Sequence, residues 1–195
     1  MPRALTEQEK SMQYKKLLDK GKEIALSTGI RKMSIDDVTT SANMAKGSFY
    51  KHFESKEKFI YEVIMEFYKQ IFTQSEQLIK QEEDVRSNIY NILINIFHLP
   101  EINFLIKNYR EVSDLNDTLS SVEVELTNQI EIDIYDELLK IAGVDTTKVS
   151  PEVIHNYFHT LYMIMGSDLM IKDHVPTTFD LILKSLADYI LGGLS

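Results

Sequence analysis

The sequence predicts an all-α protein: an N-terminal three-helix domain built around a helix-turn-helix, then a larger helical body, with about nine helices in all. Three observations predict it. Apolar residues recur at helical spacing along most of the chain, and no stretch alternates as a strand does. Start and stop signals punctuate that pattern, among them Ser34, Ser55, Pro100, Gly143, Ser150-Pro151 and Gly192-Gly193. The stretch Ser34 to Phe53, S-I-D-D-V-T-T-S-A-N-M-A-K-G-S-F-Y-K-H-F, reads as a capped helix, a tight turn and a second short helix. That second helix carries hydroxyl, lysine, tyrosine and histidine side chains, the pattern of a DNA-reading helix-turn-helix.

Composition sets the bounds. With 195 residues, 44% hydrophobic and 26% charged, the chain has enough apolar material for a sizeable core. It has no cysteine, which is compatible with a reducing compartment. The first ten residues lack the apolar run of a signal peptide. The most apolar run, Tyr157 to Met170, is interrupted by His159, Gly166 and Asp168. A soluble, cytoplasmic protein with no membrane partner is expected. The net charge of -9 is unevenly spread: residues 1–60 hold 12 Lys+Arg against 8 Asp+Glu, and residues 61–195 hold 9 against 22. A basic head on an acidic body suits phosphate binding at one end only.

In chain order, Glu9 to Ser27 is helical, with Leu17, Leu18, Ile24 and Ala25 on one side and Lys15, Lys16, Lys20 and Lys22 on the other. Gly29 is its C-cap signal. Ser34 with Asp37 forms a short capping box, opening a helix whose Ile35 and Val38 face inward. Asn43 occupies a turn position that needs a left-handed backbone. Ala45 to Phe53 forms the next helix, anchored by Phe49 and Phe53, while Gly47 keeps its surface low enough to approach a groove wall. Ser55 caps a long helix to about Gln81 with a broad apolar face. Between about Val85 and Leu99, Asn88, Asn91, Asn95 and His98 form an uncharged stripe, which implies a covered face, a polar-lined cavity or a neighbouring helix. Further helices are expected over Glu101–Val112, Asn116–Ala142, Ser150–Ile171 and Thr177–Leu191.

The run A-N-M-A-K-G-S-F-Y-K-H-F-E-S-K-E resembles the DNA-binding domain of the TetR family of one-component transcriptional regulators, over roughly Tyr14 to Ile64. Its most specific part is G-S-F-Y-K-H-F followed by S-K-E. Two positions depart from the family pattern: Asn43 where Gly is usual, and Ala45 where Ser or Thr often caps the recognition helix. The resemblance implies a DNA-binding domain over 1–55 and a ligand-binding and dimerisation domain over 56–195. It implies that Lys46, Ser48, Tyr50, Lys51 and His52 meet a double-stranded operator, with Lys56 on phosphate. It also implies a homodimer through the last two helices, a palindromic operator, a ligand-responsive repressor, and no enzymatic activity or cofactor.

Polar, aromatic and sulfur side chains inside apolar helices nominate an effector pocket: Tyr68, Asn91, Asn95, His98, Tyr109, Tyr135, His159, Tyr162 and Met163. No cluster of bases is in view, so a small, mainly hydrophobic effector is expected. Glu152, His155 and His159 share one helix face at i, i+3 and i+7, a partial metal set. Histidines at a subunit contact outweigh it, and no metal is favoured. The alternative function is a DNA-associated protein of the same fold whose body binds a protein partner or a regulatory metal. The acids of the Asn116–Ala142 helix read as an outward face. No phosphate loop, nucleophile elbow or paired carboxylate frame supports an enzyme.

Overall fold

The computed structural model describes residues 6–194. The first five residues and Ser195, over which the expected domains also extend, lie outside the described residues. Ten α-helices follow in order: α1 (Glu7–Thr28), α2 (Ile35–Ser41), α3 (Lys46–Phe49), α4 (Lys56–Lys80), α5 (Val85–Phe97), α6 (Pro100–Lys107), α7 (Tyr109–Asn116), α8 (Ser121–Ile141), α9 (Pro151–Gly166) and α10 (Val175–Leu191). A 3-10 turn, Lys172–His174, precedes α10. Among the described residues there is no strand, only an isolated bridge between Val144 and Leu194. Among the described residues no single helix is long and apolar enough to cross a membrane. The chain divides into two compact units, one up to Phe67 and one from Tyr68, with the boundary inside α4.

In the first unit, α1 opens on a full capping box: Thr6 Oγ1 accepts from Glu9 N–H while the Glu9 carboxylate accepts from Thr6 N–H. Gly29, with φ 80°, closes it. Tyr14 donates to Glu62 Oε2 at 3.1 Å, tying α1 to α4; burial first, then the carboxylate, pushes its phenol up to about 12. The core is aromatic. Phe49, Phe53 and Phe59 meet with ring centroids 4.8–5.2 Å apart, and Tyr14 stacks on Phe53 at 5.2 Å. Gly21 lets α1 and α4 cross closely, since a Cβ there falls 2.5 Å from Phe59 Cζ.

The second unit packs α5, α8, α9 and α10 with the C-terminal part of α4. Phe97 of α5 stacks on Phe158 of α9 at 4.9 Å and meets Phe179 of α10 edge-on at 5.2 Å. The helical run expected over Glu101–Val112 is two helices meeting at Asn108. There the amide side chain donates to Phe104 O at 2.9 Å and the backbone leaves helical geometry (φ -109°, ψ 23°). The expected helix to Ile171 stops at Gly166; Ser167 is extended, and Leu169 and Ile171 beyond it are left exposed. Gly166 packs within the chain rather than lying open for a partner: a Cβ there would sit 2.8 Å from Ile106 O. The amide stripe expected to be covered is open within the chain, with Asn91, Asn95 and His98 all exposed.

Candidate functional site

The first site is the helix-turn-helix. Ser34 Oγ accepts from Asp37 N–H at 3.0 Å and donates its hydroxyl to Asp37 Oδ2 at 2.6 Å. Aspartate is a methylene too short for the usual return bond to the cap backbone, so it takes the hydroxyl proton instead. Asn43 adopts φ 53°, the left-handed turn expected of it, with Met44 N–H donating to Thr39 O at 2.8 Å. Ala45 is the N-cap of α3 and makes no side-chain cap bond. The helix is shorter than the expected Ala45–Phe53: regular geometry covers Lys46–Phe49, and residues 50–52 continue as turns. Phe49 is fully buried, so its neighbours are forced outward.

Lys46, Tyr50 and Lys51 are exposed, Tyr50 by 52%. Ser48, His52 and Lys56 are half-buried. The ammonium of Lys46 pairs with Asp36 at 2.9 Å, and the hydrogen bond to that carboxylate raises its pKa. The pair is surface-exposed and contributes little to stability, so Lys46 can exchange its partner for phosphate. His52 Nε2 lies 3.3 Å from Gln13 Oε1 of α1. Burial first, then the charges of Lys51 and Lys10, lowers its pKa, which keeps the ring neutral in the free protein near pH 7. A Cβ at Gly47 would meet nothing within 4 Å, so the fold itself makes no demand for glycine there.

The second site is a narrow, almost wholly apolar cavity of about 60 Å³ in the second unit. Its wall is built by α4, α5, α8 and α9 with Ile190 of α10, mostly Ile and Leu. Of the expected pocket residues, Tyr68, Tyr135 and Tyr162 line it. Asn91, Asn95, His98, Tyr109, His159 and Met163 are not in its wall, and Met163 is 43% exposed. Tyr135 and Tyr162 share a hydrogen bond, and burial together with the nearby Glu131 charge raises both phenols strongly.

Two wall residues escaped the sequence reading. Ser75 is fully buried, and its hydroxyl has no hydrogen-bond partner among the described residues. Glu131, read as part of an outward acidic face, is 2% exposed. It is tolerated there because His159 Nε2 lies 3.0 Å from Oε2 and His155 Nδ1 3.6 Å from the same oxygen. Its position four residues after Thr127 and three before Ile134, on the apolar side of α8, is the signal that marks it. Glu152 does not join the two histidines; it accepts from Ser150 Oγ at 2.5 Å.

Residues 17–63 match the family described as bacterial regulatory proteins, tetR family. A curated relative, the HTH-type transcriptional repressor DhaR of Mycobacterium sp. (strain GP1), is 42% identical over 55 residues. That match spans 28% of this chain and 28% of the repressor, so the chain matches less than a third of the length of that curated relative. A TetR-family transcriptional regulator from Pectobacterium atrosepticum superposes over 97% of this chain and 98% of its own, with TM-score 0.66 and 16% identity. A TetR-family transcription regulator from Marinobacter aquaeolei VT8 does so over 95% and 98%, with TM-score 0.53 and 13% identity. At such identities the shared property is the fold. Residues 17–63 thus carry the helix-turn-helix segment of the tetR family of bacterial regulatory proteins, and the chain as a whole shares the fold of these TetR-family structures.

Proposed function

We propose that the chain is a ligand-responsive transcriptional repressor that binds a palindromic operator as a homodimer. Residues 1–55 form the reader and residues 56–195 the effector-binding and dimerisation body. The carrying observation is the exposed row Lys46, Tyr50 and Lys51, held outward by the buried Phe49 after a left-handed Asn43 turn. Lys51 and Lys46 supply charge to phosphate or N–H donors to the guanine acceptors, while Tyr50 and Ser48 offer hydroxyls to base or backbone. Lys56, at the first turn of α4, serves the phosphate.

A four-residue recognition helix reads few base pairs, so operator affinity comes from two readers on half-sites a helical turn or its multiples apart. Support for pairing through the last two helices comes from their uncharged open groove, lined by Asn156, Tyr157, Thr160, Leu181, Ile182 and Ser185. Leu181 there is 62% exposed. Helix α4 supplies Phe59 and Val63 to the reader core and Tyr68, Ile71, Ser75 and Ile79 to the cavity wall. At about 60 Å³ the cavity is smaller than the ~150 Å³ that takes a benzene. A mainly hydrophobic effector therefore requires the wall to rearrange, and a rearrangement that moves α4 would change operator affinity by differential binding to the two states.

The test is selection from a random duplex library with the full-length chain, followed by anisotropy titrations on the enriched site. The expected outcome is a two-fold symmetric site. Lys51→Ala is expected to weaken it at least tenfold and to lower the salt slope by about 1. Enrichment of no sequence, or wild-type binding by Lys51→Ala and Tyr50→Ala, overturns the reading.

A further inference from the structure

Two neighbouring histidines and a carboxylate distant from them in sequence converge at the edge of the cavity. His155 and His159 stand one turn apart on α9, their ring centroids 4.2 Å from each other. Glu131 arrives from α8 with its carboxylate almost fully buried. One candidate ligand atom from each residue lies within 4.8 Å of the others. The two spacings from Glu131 Oε2, 3.0 Å to His159 Nε2 and 3.6 Å to His155 Nδ1, bracket the ~3.4 Å expected between ligands of a tetrahedral zinc ion.

Hydrogen bonding alone leaves this cluster incomplete. His159 satisfies one carboxylate oxygen, but His155 Nδ1 is buried and has no hydrogen-bond partner among the described residues. An orphaned ring nitrogen aimed at a buried carboxylate is an unfavourable arrangement for a structural pair. It is the arrangement a cation would complete.

We infer that Glu131, His155 and His159 bind a divalent transition-metal ion of zinc's class, with water filling the remaining coordination. Two imidazole nitrogens and one carboxylate suit zinc, nickel, copper or cobalt, whereas magnesium and calcium favour all-oxygen shells. Three protein ligands with an open place is the composition of an accessible rather than a closed site. The side chain of His159 is 40% exposed, which provides an entry path from solvent. Binding joins α8 to α9 at a point where Glu131 also walls the cavity. This inference is independent of the DNA-binding proposal, because its readout is metal binding by the protein alone.

The experiment uses tag-free, full-length protein stripped with a chelator and then titrated with Co(II), with Zn(II) as competitor. One ion per chain is expected, with visible ligand-field bands that zinc abolishes and magnesium does not. Glu131→Gln and the His155→Ala, His159→Ala pair are expected to weaken binding at least ~100-fold. His159→Ala alone removes a half-exposed ligand with little loss of packing, and its circular dichroism and melting midpoint confirm that the fold persists. His98→Ala with His174→Ala is the control and retains binding. Absence of micromolar cobalt or zinc binding in the wild type, or wild-type affinity in His159→Ala and Glu131→Gln, overturns the assignment.

Discussion

The reader and the body keep their chemistry in opposite places. In the reader, Lys46, Tyr50 and Lys51, which are proposed to meet DNA, are exposed, and the frame beneath them is the buried Phe49, Phe53 and Phe59. Tyr50 and Lys51 stand out because Phe49 points in. In the body, the polar groups that could hold a ligand are themselves inside: Ser75 is fully buried and Glu131 is 2% exposed. A reader built this way can change its specificity without disturbing its fold. A body built this way cannot, because each buried polar group is also a term in its stability.

The largest expected effect tests the separateness of the reader's frame. Phe49 is fully buried against Phe53 and Phe59, so Phe49→Ala is expected to destabilise by about 3–5 kcal/mol. Chemical denaturation of that variant beside Lys51→Ala measures the contrast, since the latter is expected to stay within about 0.5 kcal/mol of wild type. A comparable loss in Lys51→Ala would mean that frame and reading surface are one structure, and the comparison would fail.

That division also decides what could be read from the sequence. Ser34, Asn43, Phe49 and Phe53 act on neighbours within a few residues, so type and spacing reveal the cap, the left-handed turn and the anchor. A local feature hides the break at Asn108, where the side-chain amide shares the Phe104 carbonyl with the backbone N–H and the backbone leaves helical geometry in a run whose periodicity looks continuous. Glu131 is harder still. Its main partner lies 28 residues along the chain, so only its place on the apolar side of α8 hinted that it was not one more surface acid. The stripe Asn91, Asn95 and His98 was legible as one face, yet periodicity carries no information about what lies opposite. The structure leaves that face open within the chain.

A smaller effect probes the body. The Ser75 hydroxyl has no hydrogen-bond partner inside an apolar wall, so Ser75→Ala is expected to raise stability by about 1 kcal/mol. The urea midpoint should rise with an unchanged slope. An unchanged or lower midpoint would mean that the hydroxyl is satisfied, for instance by buried water, and the cavity would be wetter than its lining implies.

The smallest stability change carries the sharpest distinction. A Cβ at position 47 would meet nothing within 4 Å, and alanine is the better helix former, so Gly47→Ala is expected to leave stability unchanged or raise it by up to about 1 kcal/mol. Its effect on DNA should run the other way. Gly47 is exposed on α3, next to Lys46 and three residues before Tyr50 in the chain. If α3 enters the groove as proposed, an added methyl group there is expected to hold the helix off the groove wall and to lengthen the neighbouring hydrogen bonds to base and phosphate. Anisotropy on the selected operator is expected to show at least ~10-fold weaker binding, because losing even one good base or phosphate contact amounts to about 1–3 kcal/mol. Unchanged binding would move the point of closest approach away from Gly47, toward the Tyr50–His52 turn. A loss of stability would show instead that glycine is required by the fold. Weaker binding in an equally or more stable protein is the outcome that only a surface shaped for a partner can produce.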